Sequence, residues 1–142
     1  MPIHFQWLVQ EKILLGQFIG DINTEDIAQS DHDANTLLDQ ATSERVHFIL
    51  DMSAQTAMPP IRDLTPDNSF FKHPRVGWVV GFGISNKVVY FAGLIVSQFF
   101  GMQMRMVKNF DEALHFLQGI DTNLPSLTGL LKPDMERQSD KT

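Results

Sequence analysis

The chain has 142 residues, 43% hydrophobic and 20% charged, with no cysteine and a formal net charge of −6. That length suits one domain with a core of its own, and the lack of cysteine excludes disulfides, thiolate nucleophiles and sulfur-ligated metals, as fits a reducing cytoplasm. Residues 1–44 hold eight acids against one base, whereas residues 68–110 hold five bases and no acid; scattered cations in an acidic protein argue against nucleic acid and leave attraction to an acidic partner or an anionic head group.

The opening Met1-Pro2-Ile3-His4-Phe5 lacks the basic-then-apolar order of a signal peptide. Ile3, Phe5 and Trp7 then alternate with His4, Gln6 and Leu8, the period of a half-buried strand over 3–8. A second strand follows over 12–19, and Gln10-Glu11-Lys12 between the two is short enough only for an antiparallel hairpin. Asn23 or Thr24 caps a helix over about 24–42, with Glu25 and Asp26 in its first turn, where the helix dipole favours acids. Its apolar stripe is Ile27, Ala34, Leu38 and Ala41, with Leu37 beside it; Asp26, Asp31, Asp33 and Gln40 are expected to fall away from that stripe into solvent.

Arg45-Val46-His47-Phe48-Ile49-Leu50-Asp51-Met52-Ser53 reads as a central strand buried on both faces. Asp51 and Ser53 would then stand at the carboxyl end of a parallel strand, where open α/β sheets keep their binding groups. A loop over 54–60 leads to Pro60, which suits the first turn of a short helix through Ile61 to Leu64. A second short turn toward Phe70 and Phe71 is stopped by Lys72-His73-Pro74. Val76 to Phe82 is another buried strand, a helix covers about 86–101, Met104 to Val107 is the last strand, and a closing helix over 111–117 is capped by Asn109. Residues 1–120 form the single domain, and 121–142 read as a loose C-terminal tail in which Leu124, Leu127, Leu130 and Leu131 can dock. The order β-β-α-β-α-β-α-β-α implies an α/β fold with a mixed, mostly parallel sheet covered by helices.

The helix over 86–101 is apolar almost all round, with only Asn86, Tyr90, Gly93, Ser97 and Gly101 polar or small. A helix packed on one side of a sheet needs only a stripe. The excess can be covered by the tail, by a second copy approaching along the small residues, or by a lipid-sized ligand or membrane surface with Lys87, Arg105 or Lys108 near its head group. The apolar run is too short for a transmembrane span.

Other patterns are weaker. Gly81-Phe82-Gly83-Ile84-Ser85-Asn86 imitates a dinucleotide fingerprint but has Asn86 where the third glycine belongs. Asp31-His32-Asp33 cannot converge on one metal ion, because neighbours on a helix point about 100° apart. His47 reads as a satisfied core or interface histidine. Ser53, His47 and Asp51 lie too close along one strand to make a triad, and no nucleophile elbow is present.

The element order, with these residues in it, resembles the STAS fold (sulfate transporter and anti-sigma-factor antagonist), and more closely the SpoIIAA-like family, described as STAS/SEC14-like. The resemblance covers about 3–120 and is carried by Trp7, Gly20, Ile49-Leu50-Asp51-Met52-Ser53, Lys72-His73-Pro74 before Gly77-Trp78, and Glu112-Ala113-Leu114 with Leu117. It implies a non-enzymatic interaction or signalling domain with no cofactor. Anti-sigma-factor antagonists of this fold carry an Asp-Ser-Ser-Gly run with a phosphorylated serine at the start of the second helix. The matching positions here hold Pro59, Pro60, Ile61 and Arg62, so that phosphoacceptor is missing; Ser53 and Thr56 are the nearby hydroxyls. The partner-binding residues expected are Asp51, Ser53, Thr56, Pro60 and Arg62 after the central strand, with Tyr90, Gly93 and Ser97 of the apolar helix in a homodimer. The SEC14 side of the resemblance gives the alternative, a carrier of a lipid or other apolar ligand using Phe91, Ile95 and Phe99 with Lys87 and Arg105 on a basic rim.

Overall fold

The hairpin at the start of the chain sets the direction of the whole sheet. In the computed structural model, which describes residues 2–57, 70–84 and 103–133, strand β1 (Ile3–Val9) pairs antiparallel with β2 (Ile13–Asp21). The turn between them closes with the Lys12 amide on the Val9 carbonyl at 2.9 Å, and Glu11 takes the left-handed conformation at φ 69°. Helix α1 (Thr24–Gln40) then carries the chain across one face of the sheet to β3 (Val46–Ala57). A single 3-10 turn (Phe70–Lys72) precedes β4 (Val76–Phe82), and β5 (Gln103–Val107) leads into α2 (Phe110–Ile120). The strands lie in the order β1-β2-β3-β4-β5, all parallel except the first pair, as the hairpin followed by alternating units implies. The helices expected over 61–64 and 86–101 lie outside the described residues.

Strand β3 is buried on both faces because the period of two sends alternate side chains into different cores. Val46, Phe48, Leu50 and Met52 join the core under α1 with Leu14, Phe18, Ala34, Leu38 and Phe70. Ile49 joins the core under α2 with Ile13, Leu15, Val80, Phe82, Leu114 and Leu117. In the first core the rings of Phe48 and Phe70 stack at 4.5 Å, and Phe5 meets both edge-on at 5.8 and 5.6 Å. Phe5 lies opposite Gly16 across the hairpin, and a Cβ on Gly16 would come within 2.6 Å of its ring. A glycine there leaves room for the aromatic cluster.

Asn23 is the cap of α1 and forms a capping box: its side chain accepts from the Asp26 amide at 2.8 Å, and Asp26 accepts from the Asn23 amide at 3.0 Å. The inward stripe includes Ala34 and Leu38 as expected, but Asp31 is buried on it rather than solvated. Ile27, Asp31, Ala34 and Leu38 follow the 4-3-4 spacing of one helix face, so position decides against polarity.

A further expectation is corrected. Strand β3 does not stop at Ser53: residues 54–57 continue beside the end of β2, so Thr56 is a strand residue paired near Asp21 and not part of a loop. In the segment 121–133, expected as a tail whose leucines can dock, several of them are packed. Leu124 and Leu127 are buried in the α2-side core, the Leu127 amide donates to Gln118 Oε1 at 2.6 Å, and Leu130 packs partly against the same core, while Leu131 stays 83% exposed. Among the described residues no helix is long and apolar enough to cross a membrane.

Candidate functional site at the carboxyl end of the central strands

The site begins with a β-bulge. Gln17 of β2 faces Asp51 of β3, but the next partner of β2, Ile19, faces Ala54, so β3 holds one residue more than β2 over this interval. Asp51 and Ser53, two residues apart, lie on one face of the strand by strict alternation, and the bulge bends the strand at this point. There Ser53 folds back on Asp51: the Ser53 amide donates to Asp51 Oδ1 at 3.0 Å and its hydroxyl donates to the same oxygen at 2.6 Å. The chain leaving β4 presses on this bulge. Gly83 has φ +88°, and a Cβ there would sit 2.6 Å from the Ser53 nitrogen, so both conformation and space call for glycine.

The second carboxylate oxygen of Asp51 receives Lys132 from the C-terminal segment, Nζ to Oδ2 at 2.7 Å. The same ammonium stands 5.7 Å from the centre of the Phe82 ring. Beside it the buried Gln17 donates from Nε2 to the Pro133 carbonyl at 3.3 Å, and Gln6 Nε2 donates to Gln17 Oε1 at 3.4 Å. Burial works to raise the Asp51 pKa, yet the Lys132 ammonium and the two Ser53 donors together outweigh it and hold the carboxyl below its usual range. Asp51 is therefore an anion with both oxygens engaged. It is a poor base toward Ser53, whose hydroxyl is bound to it without a histidine in the relay.

A second polar group lies at the opposite end of β3. His47, 1% exposed, accepts the Trp78 amide at Nδ1 (2.9 Å), which leaves the proton on Nε2 to be donated to Asp121 Oδ2 at 2.8 Å. Gly77 makes room for the ring: a Cβ there would lie 2.5 Å from Nδ1. The His47 bond lowers the Asp121 pKa, against a smaller opposing effect of burial, and the Asn123 amide adds to the lowering. His47 is thus a satisfied core histidine, and its ring bonds go to Trp78 and Asp121 rather than to Ser53 or Asp51.

Of the expected site residues, the structure brings Asp51 and Ser53 together. Thr56 is exposed further along β3, donating its hydroxyl to Asp21. Arg105 lies apart on β5, its guanidinium 5.3 Å from the Phe116 ring, which in turn meets Trp78 edge-on at 5.1 Å. Pro60, Arg62, Lys87, Tyr90, Phe91, Gly93, Ile95, Ser97 and Phe99 lie outside the described residues. Sequence reasoning missed Lys132, Gln17 and Phe82. The only available signal was that a buried acid on a central strand requires a cation, and nothing in the chain points from Asp51 to a lysine 81 residues away. Among the described residues no three His, Asp or Glu side chains are placed to share a metal ion.

No protein-family model and no curated protein sequence matches the chain. Among solved structures it is similar to an uncharacterised protein of the DUF3478 family with a SpoIIAA-like fold from Shewanella loihica PV-4, with TM-score 0.57 and 15% identity over 81% of this chain and 91% of that one. It is also similar to the anti-sigma factor antagonist SpoIIAA in its unphosphorylated form, with TM-score 0.51 and 13% identity over 83% of this chain and 99% of that one. The chain therefore has the SpoIIAA-like, STAS-type fold that its element order resembles.

Proposed function

We propose that this SpoIIAA-like domain is a non-enzymatic protein-interaction module whose working surface is the carboxyl end of β3 and β4. The observation that supports it best is the closed network of Asp51, Ser53 and Lys132, in which the nearby hydroxyl and carboxylate are already spent on each other and on an ammonium. Groups so engaged shape a surface and select what docks there; they leave no free base beside a nucleophile. Thr56 extends this surface on the exposed end of β3, and Pro60 and Arg62 follow it in the chain. The signalling role is one without the phosphoacceptor serine of the anti-sigma-factor antagonists. Tyr90, Gly93 and Ser97 add the second part of the proposal, a homodimer contact along the apolar helix, on the strength of its sequence alone.

The test places a photo-crosslinking residue at exposed Thr56 and, as a control, at exposed His32 of α1, in the cells that make the protein. A discrete adduct from position 56 and none from position 32 is expected. The same adducts from both, or none from 56, would sink the reading. Native mass spectrometry of freshly purified protein bears on the rest. A doubled mass supports the homodimer, whereas a monomer carrying lipid-sized mass that is lost on denaturation supports the carrier reading through Phe91, Ile95 and Phe99 with Lys87 and Arg105.

A further inference from the structure

Asp51 has a counter-ion that the sheet does not provide. Its side chain is only 5% exposed, and the cation that balances it comes from the far end of the chain on a side chain that is 36% exposed. The segment bearing that cation is held unlike the residues just before it. Leu124 and Leu127 are buried in the core and the Leu127 amide is bound by Gln118. From residue 130 onward the attachments among the described residues are the partial packing of Leu130 on the core, its amide on the Leu127 carbonyl, the Lys132 ammonium on Asp51 and Phe82, and the Pro133 carbonyl on Gln17. Leu131 between them faces solvent. A stretch with exposed side chains and few bonds opens more easily than the core that anchors it.

Opening alone would take the counter-ion from the Asp51 carboxylate and leave it only the two Ser53 donors, which is unfavourable. Opening with replacement by another cation is close to balanced. The site is therefore built for exchange, and its shape says what it exchanges for. Ser53 saturates Oδ1, so one oxygen, Oδ2, is left to receive charge. A single acceptor suits the compact ammonium of lysine better than the two-pronged fork of a guanidinium. Phe82 offers a ring to the cation, and Gln17 offers a donor to a backbone carbonyl one residue further on.

We propose that the carboxyl end of β3 recognises a lysine-bearing peptide segment of a partner protein, and that residues 130–133 are its built-in competitor. This rests on the interaction-module reading and adds to it the chemistry of the partner and the means of restraint. The partner segment carries a lysine next to aliphatic residues, as Leu130, Leu131 and Lys132 do in this chain, and it displaces the strap by taking over Asp51, Phe82 and Gln17.

The test is an NMR titration of the isotope-labelled full chain with the capped tetrapeptide Leu-Leu-Lys-Pro. Lys132→Met keeps an unbranched strap side chain one atom shorter and removes its charge. In that variant the peptide is expected to shift the amides of Ser53, Phe82 and Gly83 saturably. In the wild type it is expected to need about tenfold more peptide, as for a site covered about nine-tenths of the time. A peptide with norleucine for lysine should give no saturable shift. The double variant Asp51→Asn/Lys132→Met, in which no ion is left unpaired, should lose the response while staying folded. No saturable shift in Lys132→Met, or an equal response to the norleucine peptide, overturns the proposal. Should Lys132→Met not fold, the wild type decides: release of the Lys132 side-chain resonances as the Ser53 amide shifts is expected, and their constancy overturns it. Crosslinking at position 56 is read separately. An adduct without a peptide response removes the lysine site alone, and absence of the adduct removes the interaction module whatever the peptide does.

Discussion

Asp31 shows what a single residue can do against the pattern around it. It occupies an inward position of α1, and its Oδ1 accepts the Phe70 amide at 3.2 Å. Burial raises its pKa from 3.8 to about 6, against a smaller lowering by that amide. Its protonated form is thus favoured by folding. Below about pH 4 both the folded and unfolded chains carry the proton; between about 4 and 6 the unfolded chain releases it first, so stability falls as pH rises through this window and stays lowered above it. Asp31→Asn keeps the acceptor and removes the charge. It is expected to stabilise the protein by about 1–3 kcal/mol at pH 7.5 and by nearly nothing at pH 3.5. Urea denaturation at the two pH values checks this, and an equal gap at both would show that the charge of Asp31 is not the cause. The sequence held the information in the spacing of Ile27, Asp31, Ala34 and Leu38, but an acid on an apolar face reads as an interruption until the partner amide is known. His47 was more legible, because a histidine inside an apolar strand needs partners wherever it sits; which partners was settled by contacts distant in the chain, Trp78 and Asp121.

At the scale of elements, two glycines of opposite meaning test how the strands and helices are fitted. Gly77 in β4 stands where a Cβ would meet His47 Nδ1 at 2.5 Å and Arg45 Cγ at 2.8 Å, whereas Gly119 in α2 has nothing within 4 Å. Gly77→Ala should displace the imidazole, break its bond to the Trp78 amide and destabilise the fold by about 2–4 kcal/mol. Gly119→Ala should stabilise it by about 0.5–1 kcal/mol through helix propensity alone. Thermal or urea unfolding of the pair checks both signs together, and a tolerated Gly77→Ala would mean that His47 is not held as described. The elements themselves were largely legible. Val76 to Phe82 is a strand with the expected bounds, and the caps Asn23 and Asn109 were visible from their chemistry. What escaped was the continuation of β3 to Ala57. Residues 54–57 are small or polar and lack the apolar alternation of a strand; they are extended because β2 runs beside them through two register shifts, a tertiary cause with no local sign. The bulge beside the Asp51 and Ser53 pair belongs to the same pairing, so the residues of the site were legible and the local bend of the strand was not.

For the whole molecule, the sheet order follows from connectivity: a short hairpin must be antiparallel, and long connections, the first of them through α1, return the chain in parallel. The end of the chain obeys no such rule. Pro125, Gly129 and a shortage of periodic apolar residues make 121–133 look like a tail, yet two leucines from it complete the core beneath α2. If that packing is structural, residues 121–127 belong to the folded unit and the boundary expected after residue 120 falls too early. Leu127→Ala decides the point, since Leu127 is fully buried beside Leu117 and Leu124 in the same core. It is expected to destabilise the protein by about 2–4 kcal/mol, as loss of a core leucine does elsewhere. Leu131→Ala, at an 83% exposed position four residues on, should change stability by no more than about 0.5 kcal/mol. Equilibrium urea unfolding at constant pH measures both. Equal, small effects would detach the segment from the fold and with it the covering of Asp51. A large effect at 127 alone would make residues 124–127 the anchor from which the strap carrying Lys132 is hung, so that the core is fixed by the same segment that guards the site.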